Sequence, residues 1–308
     1  MANETKGVFT LQDVRDRELA GTWVVQGWKA AWFSGGGPSF TTVDRIIFSS
    51  DTATAVAKGP LSSGRYGRGG HGNTADAWFG GGLPGPSSTV DRIIFSADTA
   101  NAVAKGPLSL ARYYLAAHGN TTDSWCAGGA PGPVSTVDRI IFASDSATAV
   151  AKGPLSLTRL GVAAHGNTTD AWFGGGDVPG IVSRVDRVIF SSDTSTAVAK
   201  GPLSEARHAP GASGNTTDAW FGGGFPPVFA TVDRIIFASD TATAVQKGPL
   251  TLARYIPTAG GNTTDAWFGG GYAPQPRSTV DRIIFASDTA TAAVRGPLSL
   301  TRYSPTAN

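Results

Sequence analysis

Short apolar segments alternate with polar turns along almost the whole chain. In residues 112–159, YYLAAHG leads to the turn NTTD, SWCAGG to a loop rich in Pro and Gly, TVDRIIFA to the turn SDS, and ATAVAKG to GPLSLTR. Each apolar segment has 5 to 8 residues and is rich in Val, Ile, Phe, Thr or Trp, which favours strands over helices. This stretch therefore predicts four short antiparallel strands.

The same pattern recurs six times. The phrase AWFGGG and its variants recur at intervals of 46, 47, 47, 48 and 47 residues, with tryptophans at Trp32, Trp78, Trp125, Trp172, Trp220 and Trp267. The phrase VDRIIF recurs in register, with aspartates at Asp44, Asp91, Asp138, Asp186, Asp233 and Asp281. Six copies of four strands predict an all-β fold, a six-bladed β-propeller of four-stranded antiparallel blades. We place the propeller at residues 21–308 and an N-terminal arm, a candidate attachment segment, at residues 1–20.

Ring closure is predicted from the two ends of the repeat array. A four-stranded sheet cannot bury both faces alone, so the blades must pack around an axis. The run Ile93-Ile94-Phe95 has the continuous apolar character expected of a strand between two neighbouring blades. The last copy ends at TRYSPTAN, which matches the first strand of a blade, and the first copy has a poor first strand. We expect residues 301–308 to complete the first blade, with GTWVVQGW at residues 21–28 as the competing segment.

Composition and charge narrow the class of protein. Glycine accounts for 41 of 308 residues, too many for a helical protein, and the 41% hydrophobic content is too high for a disordered one. The single Cys126 excludes an intramolecular disulfide framework, and it replaces the Phe of AWF as a small core residue. A formal charge of +2 provides no electrostatic footprint for nucleic acid. No apolar run could span a membrane and no secretory signal opens the chain, so we expect a soluble protein made in a cytoplasm.

Most charged residues belong to the repeat. Seventeen of the 23 acidic residues are the aspartates of VDR, SDT and NTTD. A pair such as Asp91 and Asp98 could serve as acid and base in a glycosidase, but an active site needs one special constellation and this pattern is the same in every copy. We interpret these groups as turn caps and ion pairs, with a buried arginine of LSxxR such as Arg112 pairing with a blade aspartate. Only Asp177 and Glu205 lie in the propeller outside the repeated acidic positions.

Three histidines occupy one equivalent position in adjacent copies. They are His71, His118 and His165, where two other copies have Ser213 and Gly260. Three imidazoles near the axis could bind a metal. Because the residue is missing from the other blades and no specific acidic partner accompanies it, we interpret the position as inward-facing and tolerant. We predict neither a metal nor a cofactor.

Two stretches differ between copies, one after the triple glycine and one after the LSxxR arginine. In an up-and-down blade both lie on the same side of the disc, whereas the constant NTTD and SDTAT turns lie on the other. Loops on a rigid scaffold often carry recognition, so we predict a binding surface there. The candidates are side chains that interfaces favour, and whose aromatic members also stack on sugars. They are Phe40, Tyr66, Arg68, Tyr113, Tyr114, Phe225, Phe229, Tyr255, Tyr272, Gln275 and Arg277. Two other interpretations stay open, neutral drift in these loops and a repeated docking surface on the constant turns.

The double glycine after a strand, the arginine opening each copy and the period near 50 resemble kelch-type propellers over residues 21–308. The fourth strand departs from that pattern, because ATAVAKGPLS stands where kelch repeats have an aromatic residue. The consensus wording STVDRIIFASDTATAVAKGPLS with GNTTDAWFGGG is similar to kelch-like virion structural proteins of marine cyanobacterial phages. This resemblance implies a non-enzymatic virion component of the tail, fibre or capsid surface. Its arm would bind other virion proteins and its propeller face a host-surface glycan or protein. The alternatives are a soluble carbohydrate-binding lectin and, third, a glycan-degrading enzyme.

Overall fold

A computed structural model describes residues 29–308, which form a six-bladed β-propeller of four-stranded antiparallel sheets. The predicted fold class is confirmed, with only 6% of residues helical. The predicted arm at residues 1–20 and the segment 21–28 lie outside the described residues. None of the helices in residues 29–308 has the length and apolar character needed to cross a membrane.

In blades 2 to 6 the four strands follow one another outward from the axis in chain order. In blade 1 the inner strand comes from the C-terminal end of the chain. From blade 1 to blade 6, the inner strands are Thr306–Ala307, Gly69–Gly72, Ala116–Gly119, Ala163–Gly166, Gly211–Gly214 and Thr258–Gly261. The second strands are Ala30–Ser34, Asp76–Gly80, Asp123–Ala127, Asp170–Gly174, Asp218–Gly222 and Asp265–Gly269. Each inner strand contacts the inner strands of both neighbouring blades, so together they surround the axis.

The outer half of each blade contains the VDRII strand, a one-turn 3₁₀ helix and a short outer strand. The third strands are Val43–Ile47, Val90–Ile94, Val137–Ile141, Val185–Ile189, Val232–Ile236 and Val280–Ile284. The 3₁₀ helices are Phe48–Ser50, Phe95–Ala97, Phe142–Ser144, Phe190–Ser192, Phe237–Ser239 and Phe285–Ser287. The outer strands are Val56–Lys58, Val103–Lys105, Val150–Lys152, Val198–Lys200, Val245–Lys247 and Ala293–Arg295. Blade 4 adds a small hairpin, Asp177–Val178 with Gly180–Ile181, in its loop between the second and third strands.

The run Ile93-Ile94-Phe95 does not form a continuous sandwiched strand, so that interpretation is wrong. Ile93 is buried, whereas Ile94 at the end of the strand is 36% exposed, as the alternation of a strand requires. Phe95 begins the 3₁₀ helix and stacks on Trp32 of the preceding blade, with ring centroids 3.9 Å apart. The apolar run therefore reflects a strand followed by an inter-blade contact.

Ring closure occurs where the sequence predicted it. Thr306 pairs with Ser34 and Ala307 with Phe33, and the main chains of Trp32 and Asn308 exchange hydrogen bonds of 3.2 and 3.3 Å. Residues 301–308 thus supply the missing strand of blade 1. The competing segment 21–28 lies outside the described residues.

The ring is built from a contact that repeats between blades. The Trp78 ring of blade 2 stacks on Phe142 of blade 3 at 3.8 Å, and its Nε1 donates a 2.9 Å hydrogen bond to Asp145. Asp145 also forms ion pairs with Lys105 at 3.2 Å and Arg92 at 3.4 Å, both from blade 2. The stack is present at all six interfaces, with centroids 3.8 to 4.1 Å apart. The interpretation of the repeated charges as scaffold is confirmed.

A glycine allows the blades to approach at this contact. The Gly106 amide donates a 2.7 Å hydrogen bond to the carbonyl of Asp145 in the next blade. A Cβ at Gly106 would overlap the carbonyl oxygen of Ala147, so a larger residue would push the two backbones apart. The KGP glycine of each copy therefore sets the spacing between blades.

A second repeated contact holds the link, the segment between the outer strand of one blade and the inner strand of the next. Arg112 and Asp138 are both fully buried and form a 2.8 Å ion pair. The remaining guanidinium bonds go to the carbonyls of Cys126, Gly128 and Thr136, at 2.7 to 3.1 Å. The predicted pairing is confirmed, and equivalent pairs occur in every blade. They are Arg302–Asp44, Arg65–Asp91, Arg112–Asp138, Arg159–Asp186, Arg207–Asp233 and Arg254–Asp281.

Replacing Arg112 by Met tests the buried ion pair. The change leaves the Asp138 carboxylate buried without its cation, so we expect the free energy of unfolding to fall by about 3–5 kcal/mol. Urea denaturation measures the loss. Adding Asp138→Asn, which removes the charge and keeps the shape, should recover part of it. A melting temperature unchanged by Arg112→Met would contradict this role.

The chain also contains a matched pair for testing the inter-blade hydrogen bond. Asp145 accepts the Trp78 indole, whereas the equivalent Asp98 does not bond to Trp32, whose Nε1 has no partner within residues 29–308. Asp145→Ala leaves a buried indole N–H unsatisfied, and we expect it to cost about 1–3 kcal/mol more than Asp98→Ala. Equal losses in the two variants would show that the indole bond contributes no more than the shorter 2.8 Å ion pair of Arg45 with Asp98.

Candidate functional site

The two variable stretches of each copy lie on one face of the disc, here called the loop face. They pair directly with each other through isolated bridges, as between Tyr66 and Leu83 and between Tyr113 and Ala130. The prediction that both stretches share a face is confirmed. The turns between inner and second strands lie on the opposite side, here called the turn face.

All six tyrosines of the chain gather on the loop face around the axis. Tyr255 contacts Tyr272 with ring centroids 5.3 Å apart, Tyr272 contacts Tyr303 at 6.2 Å, and Tyr303 contacts Tyr66 at 5.5 Å. The rings are tilted or edge-on, which is a favourable geometry for aromatic pairs. We call this group the tyrosine cluster, and it consists of Tyr66, Tyr113, Tyr114, Tyr255, Tyr272 and Tyr303. No tyrosine is used in the blades, which are built instead with Trp and Phe.

Tyr114 lies between Tyr113 and His208 in the tyrosine cluster. Its ring packs against Tyr113 at 5.3 Å and edge-on against His208 at 6.0 Å. Burial raises the pKa of Tyr114 to about 12, and the nearby hydroxyls of Tyr66 and Tyr303 add to the shift. Burial also raises the pKa of Tyr303. The hydroxyls of Tyr114 and Tyr303 therefore stay protonated at neutral pH and can both donate and accept hydrogen bonds.

Tyr303 and His208 were missed among the candidate residues. Both directly follow the LSxxR arginine, as Tyr66, Tyr113 and Tyr255 do. His208 lies in the variable stretch after that arginine but was not selected, and including the terminal copy in the comparison would have found Tyr303. Tyr303 escaped because it lies in the terminal fragment that was considered only as a closing strand.

A closed ring of backbone hydrogen bonds supports the cluster. One residue from each link donates its N–H to the carbonyl of its counterpart in the preceding blade, at 2.6 to 3.4 Å, and the ring returns to its start. The members are Gly67, Tyr114, Gly161, Ala209, Ile256 and Ser304. All six have left-handed backbones, with φ between 48° and 66°. Four of them are neither Gly nor Asn, so strain is held here in a sparsely populated conformation, as often occurs at functional positions.

Arg68 is not on the binding surface, so its placement there was wrong. The side chain is 5% exposed and lies between blades 1 and 2, with its guanidinium 5.5 Å from the centre of the Phe79 ring. Nη2 donates to the carbonyl and the hydroxyl of Ser34. Burial lowers the pKa of Arg68 to about 9. Where other links carry Leu115, Val162 or Pro210, Arg68 extends into the space between blades.

The remaining candidates divide by exposure. Phe225 is 44% exposed and contacts Tyr255 at 5.8 Å, so it extends the tyrosine cluster. Gln275 is exposed, and Phe40 is partly buried in the loop of blade 1. Phe229 lies 4.9 Å from the buried guanidinium of Arg207 and therefore supports the scaffold. The Arg277 guanidinium is held within its own loop by the carbonyl of Ala273.

The turn face contains a cavity of about 260 Å³ at the axis, here called the axial cup. Its sides are the ends of the inner strands and the Asn-Thr turns. One residue from each blade defines its inner wall, and these six are Asn308, His71, His118, His165, Ser213 and Gly260. The histidines thus face the axis as predicted, and they occupy one half of the wall.

The three histidine rings form a row, with His118 between His71 and His165. His71 and His118 have ring centres 4.8 Å apart, and His118 and His165 are 4.9 Å apart. Burial lowers the pKa of His71 and of His165 to about 4 and that of His118 well below its ordinary value, so all three are neutral at pH 7. Across residues 29–308, no group of three or more His, Cys, Asp or Glu has a metal-binding arrangement.

The acidic candidates are engaged elsewhere. Asp91 is bound by Arg65, and Asp98 is paired with Arg45 at 2.8 Å and Lys58 at 3.2 Å. Glu205 accepts a 3.1 Å hydrogen bond from Thr231 and lies 3.4 Å from Arg207. Asp177 lies in the hairpin of blade 4. The pair Asp91 and Asp98 belongs to the scaffold, as the sequence suggested.

The row of His71, His118 and His165, here called the histidine arc, should make the folded protein less stable at acid pH. Each folded-state pKa lies below the unfolded value of about 6.5, so the unfolded chain binds more protons as the pH falls. Stability should therefore drop from about pH 7 to about pH 5, by about 1–2 kcal/mol for each of His71 and His165, and His118 should act in the same direction. Urea midpoints at the two pH values measure it. The variant His71→Ala, His118→Ala, His165→Ala should lose less stability over this range, and an equal loss would disprove the assignment.

No protein-family model matches the chain, and comparison with curated proteins finds no match. The propeller and its loop face are what remains to indicate function. A rigid propeller suggests a protein-binding or recognition module.

Proposed function

We propose that the protein is a non-enzymatic recognition module and a structural component of a phage virion, with the tyrosine cluster as its binding surface. The observation that carries the recognition role is the gathering of all six tyrosines on one face. Tyrosine supplies a large apolar surface and a hydrogen-bonding group at low conformational cost, which suits an interface. The blades do not need these side chains, so their position calls for another explanation.

Both ends of the described residues lie on the turn face, opposite the tyrosine cluster. Lys29 accepts a hydrogen bond from the Phe48 amide at 3.0 Å, as Thr122 does from Phe142 at 2.9 Å. Lys29 therefore occupies the position that Thr122 has in blade 3, at the end of an Asn-Thr turn on the turn face. Asn308 lines the axial cup on the same face.

The virion assignment is supported by the likeness of the repeats to phage virion proteins. The measurement is the protein composition of purified particles. We expect this chain to copurify with tail or capsid proteins at a fixed ratio through a density gradient. Recovery of the chain only as a free monomer would overturn the virion role.

The recognition role is tested by removing three adjacent rings. We expect particles with Tyr255→Ala, Tyr272→Ala and Tyr303→Ala to assemble normally and to adsorb to host cells about tenfold less or worse, because anchor residues dominate binding. The matched control is Thr121→Ala, Thr168→Ala and Thr216→Ala, three exposed residues of the turn face. Unchanged adsorption of the tyrosine variant would show that the cluster is not the binding surface.

A carbohydrate-binding lectin is the second candidate. It is favoured by the uncharged, hydroxyl-bearing aromatic surface, because the apolar face of a sugar stacks on such rings while its hydroxyls reach Tyr oxygens. Binding of purified protein to a glycan array, abolished by the same tyrosine variant, would support it. Release of reducing ends from host polysaccharide would instead favour an enzyme.

A further inference from the structure

Four of the tyrosines and one phenylalanine form a continuous row of rings on the loop face, here called the aromatic row. Phe225 contacts Tyr255 with ring centroids 5.8 Å apart, and Tyr255 contacts Tyr272 at 5.3 Å. Tyr272 then contacts Tyr303 at 6.2 Å, and Tyr303 contacts Tyr66 at 5.5 Å. The five rings come from separate loops and links, so the row exists only in the folded protein.

Neighbouring rings of the aromatic row meet at corners. The ring planes of Phe225 and Tyr255 differ by 51°, and those of Tyr255 and Tyr272 by 50°. Tyr303 is edge-on to both of its neighbours, at 78° to Tyr272 and 73° to Tyr66. The row therefore offers a series of small apolar corners instead of a flat platform. A compact ring fits such a corner better than the broad face of a sugar does.

The charged side chains of the neighbouring loops are not part of the row. Arg277 is held within its own loop by the carbonyl of Ala273. Glu205 accepts a hydrogen bond from Thr231. Asp177 lies in the blade 4 hairpin. The row itself consists of phenol and phenyl rings, so it should select an uncharged ligand.

The hydroxyls of the tyrosine cluster supply hydrogen-bond donors. Burial raises the pKa of Tyr114 to about 12, and the hydroxyls of Tyr66, Tyr303 and Tyr255 add to the shift because they lie near it. Burial also raises the pKa of Tyr303. A protonated phenol donates its O–H, and a carbonyl oxygen is a suitable acceptor. The surface thus suits an uncharged ligand that is rich in acceptors.

A small cavity lies on the axis beneath the cluster. Its volume is about 90 Å³, and its lining includes Tyr114 and the six left-handed link residues. Its lining shares Ala117, Ala164 and Ala259 with the axial cup, which places it on the same axis. A water-sized group needs about 10–15 Å³ of such space, so several atoms of an apolar side chain can enter. A ligand that crosses the loop face can place one side chain there.

We propose that the loop face binds a proline-rich segment of a partner protein in the polyproline II conformation. This inference rests on the proposed recognition role and names the class of partner. Proline has no N–H, so such a segment presents carbonyl acceptors to the tyrosine hydroxyls and brings no backbone donor that would need a partner. Its pyrrolidine rings are compact and uncharged, as the corners of the aromatic row require.

The conformation of the ligand adds to the match. A polyproline II helix has no internal hydrogen bonds, so its carbonyls are free to accept from a protein surface. The helix is already formed in the free segment, so little conformational entropy is lost on binding. Surfaces lined with aromatic rings recognise such segments in several unrelated domains.

The test is isothermal titration calorimetry of the full chain with acetylated and amidated hexaproline. We expect the L-proline peptide to bind with a Kd of about 10–100 μM. The matched control is the same peptide made from D-proline, which has identical composition and forms the mirror-image helix. It should bind at least about tenfold more weakly. Equal binding of the two peptides, or no binding of the L-proline peptide, would overturn the proposal.

Variants locate the site. Tyr255→Ala, Tyr272→Ala and Tyr303→Ala together should weaken binding of the L-proline peptide about tenfold or more, because the corners of the row are lost. The turn-face control used for adsorption should bind the peptide normally. A triple alanine variant that keeps its melting temperature and its affinity would refute the loop face as the site.

A second set of variants separates the rings from their hydroxyls. Tyr255→Phe, Tyr272→Phe and Tyr303→Phe keep the apolar corners and remove three donors. We expect this variant to bind more weakly than the parent and more tightly than the triple alanine variant. Affinity equal to that of the parent would overturn the pairing of hydroxyls with proline carbonyls.

The result is independent of the adsorption experiment. Binding of a neutral glycan without binding of the L-proline peptide would overturn this inference and leave the recognition role of the tyrosine cluster intact. Binding of the L-proline peptide, combined with normal adsorption of particles that carry the tyrosine variant, would support the proline site and overturn its role in host attachment.

Discussion

The contact of one blade's tryptophan with the phenylalanine and aspartate of the next holds the ring together. Each sheet has only four short strands, so neither of its faces is buried without a neighbour. Stacking at 3.8 to 4.1 Å, the indole hydrogen bond and the paired cations all meet at one aspartate, Asp145 between blades 2 and 3. The interface between blades 1 and 2 lacks the indole bond. The molecule is thus a set of similar contacts, one of which has a 2.8 Å ion pair between Arg45 and Asp98 in place of the indole bond.

The scaffold and the candidate sites use different residues because they lie at different radii. The outer contacts repeat in nearly every blade, and any change there would disturb the spacing of the whole ring. The axis is different, since six copies of one position meet there and can together form a single asymmetric surface. The tyrosine cluster at one end and the histidine arc at the other both result from this convergence.

The repeat made the fold predictable from sequence, because every strand and turn is represented six times and errors in one copy are corrected by the others. Closure by residues 301–308 followed from the same register. The side chain of Arg68 could not be placed in this way, because its equivalents are apolar and a pattern does not show which way one exceptional residue points. The axial cup was missed because it consists of space enclosed by six distant segments, although the sequence placed its histidines facing inward.

Blade 1 is assembled from both ends of the described chain, so the first and last strands in sequence are neighbours in space. Lys29 and Asn308 reach the same mouth at which every other blade has an Asn-Thr turn. Joining these ends through a short turn and cutting one of the other five turns would leave the inter-blade stacks and the buried Arg–Asp pairs in place. The protein therefore has six nearly equivalent places at which its chain could begin, and new termini could be moved around the axis in steps of 60° without altering the loop face.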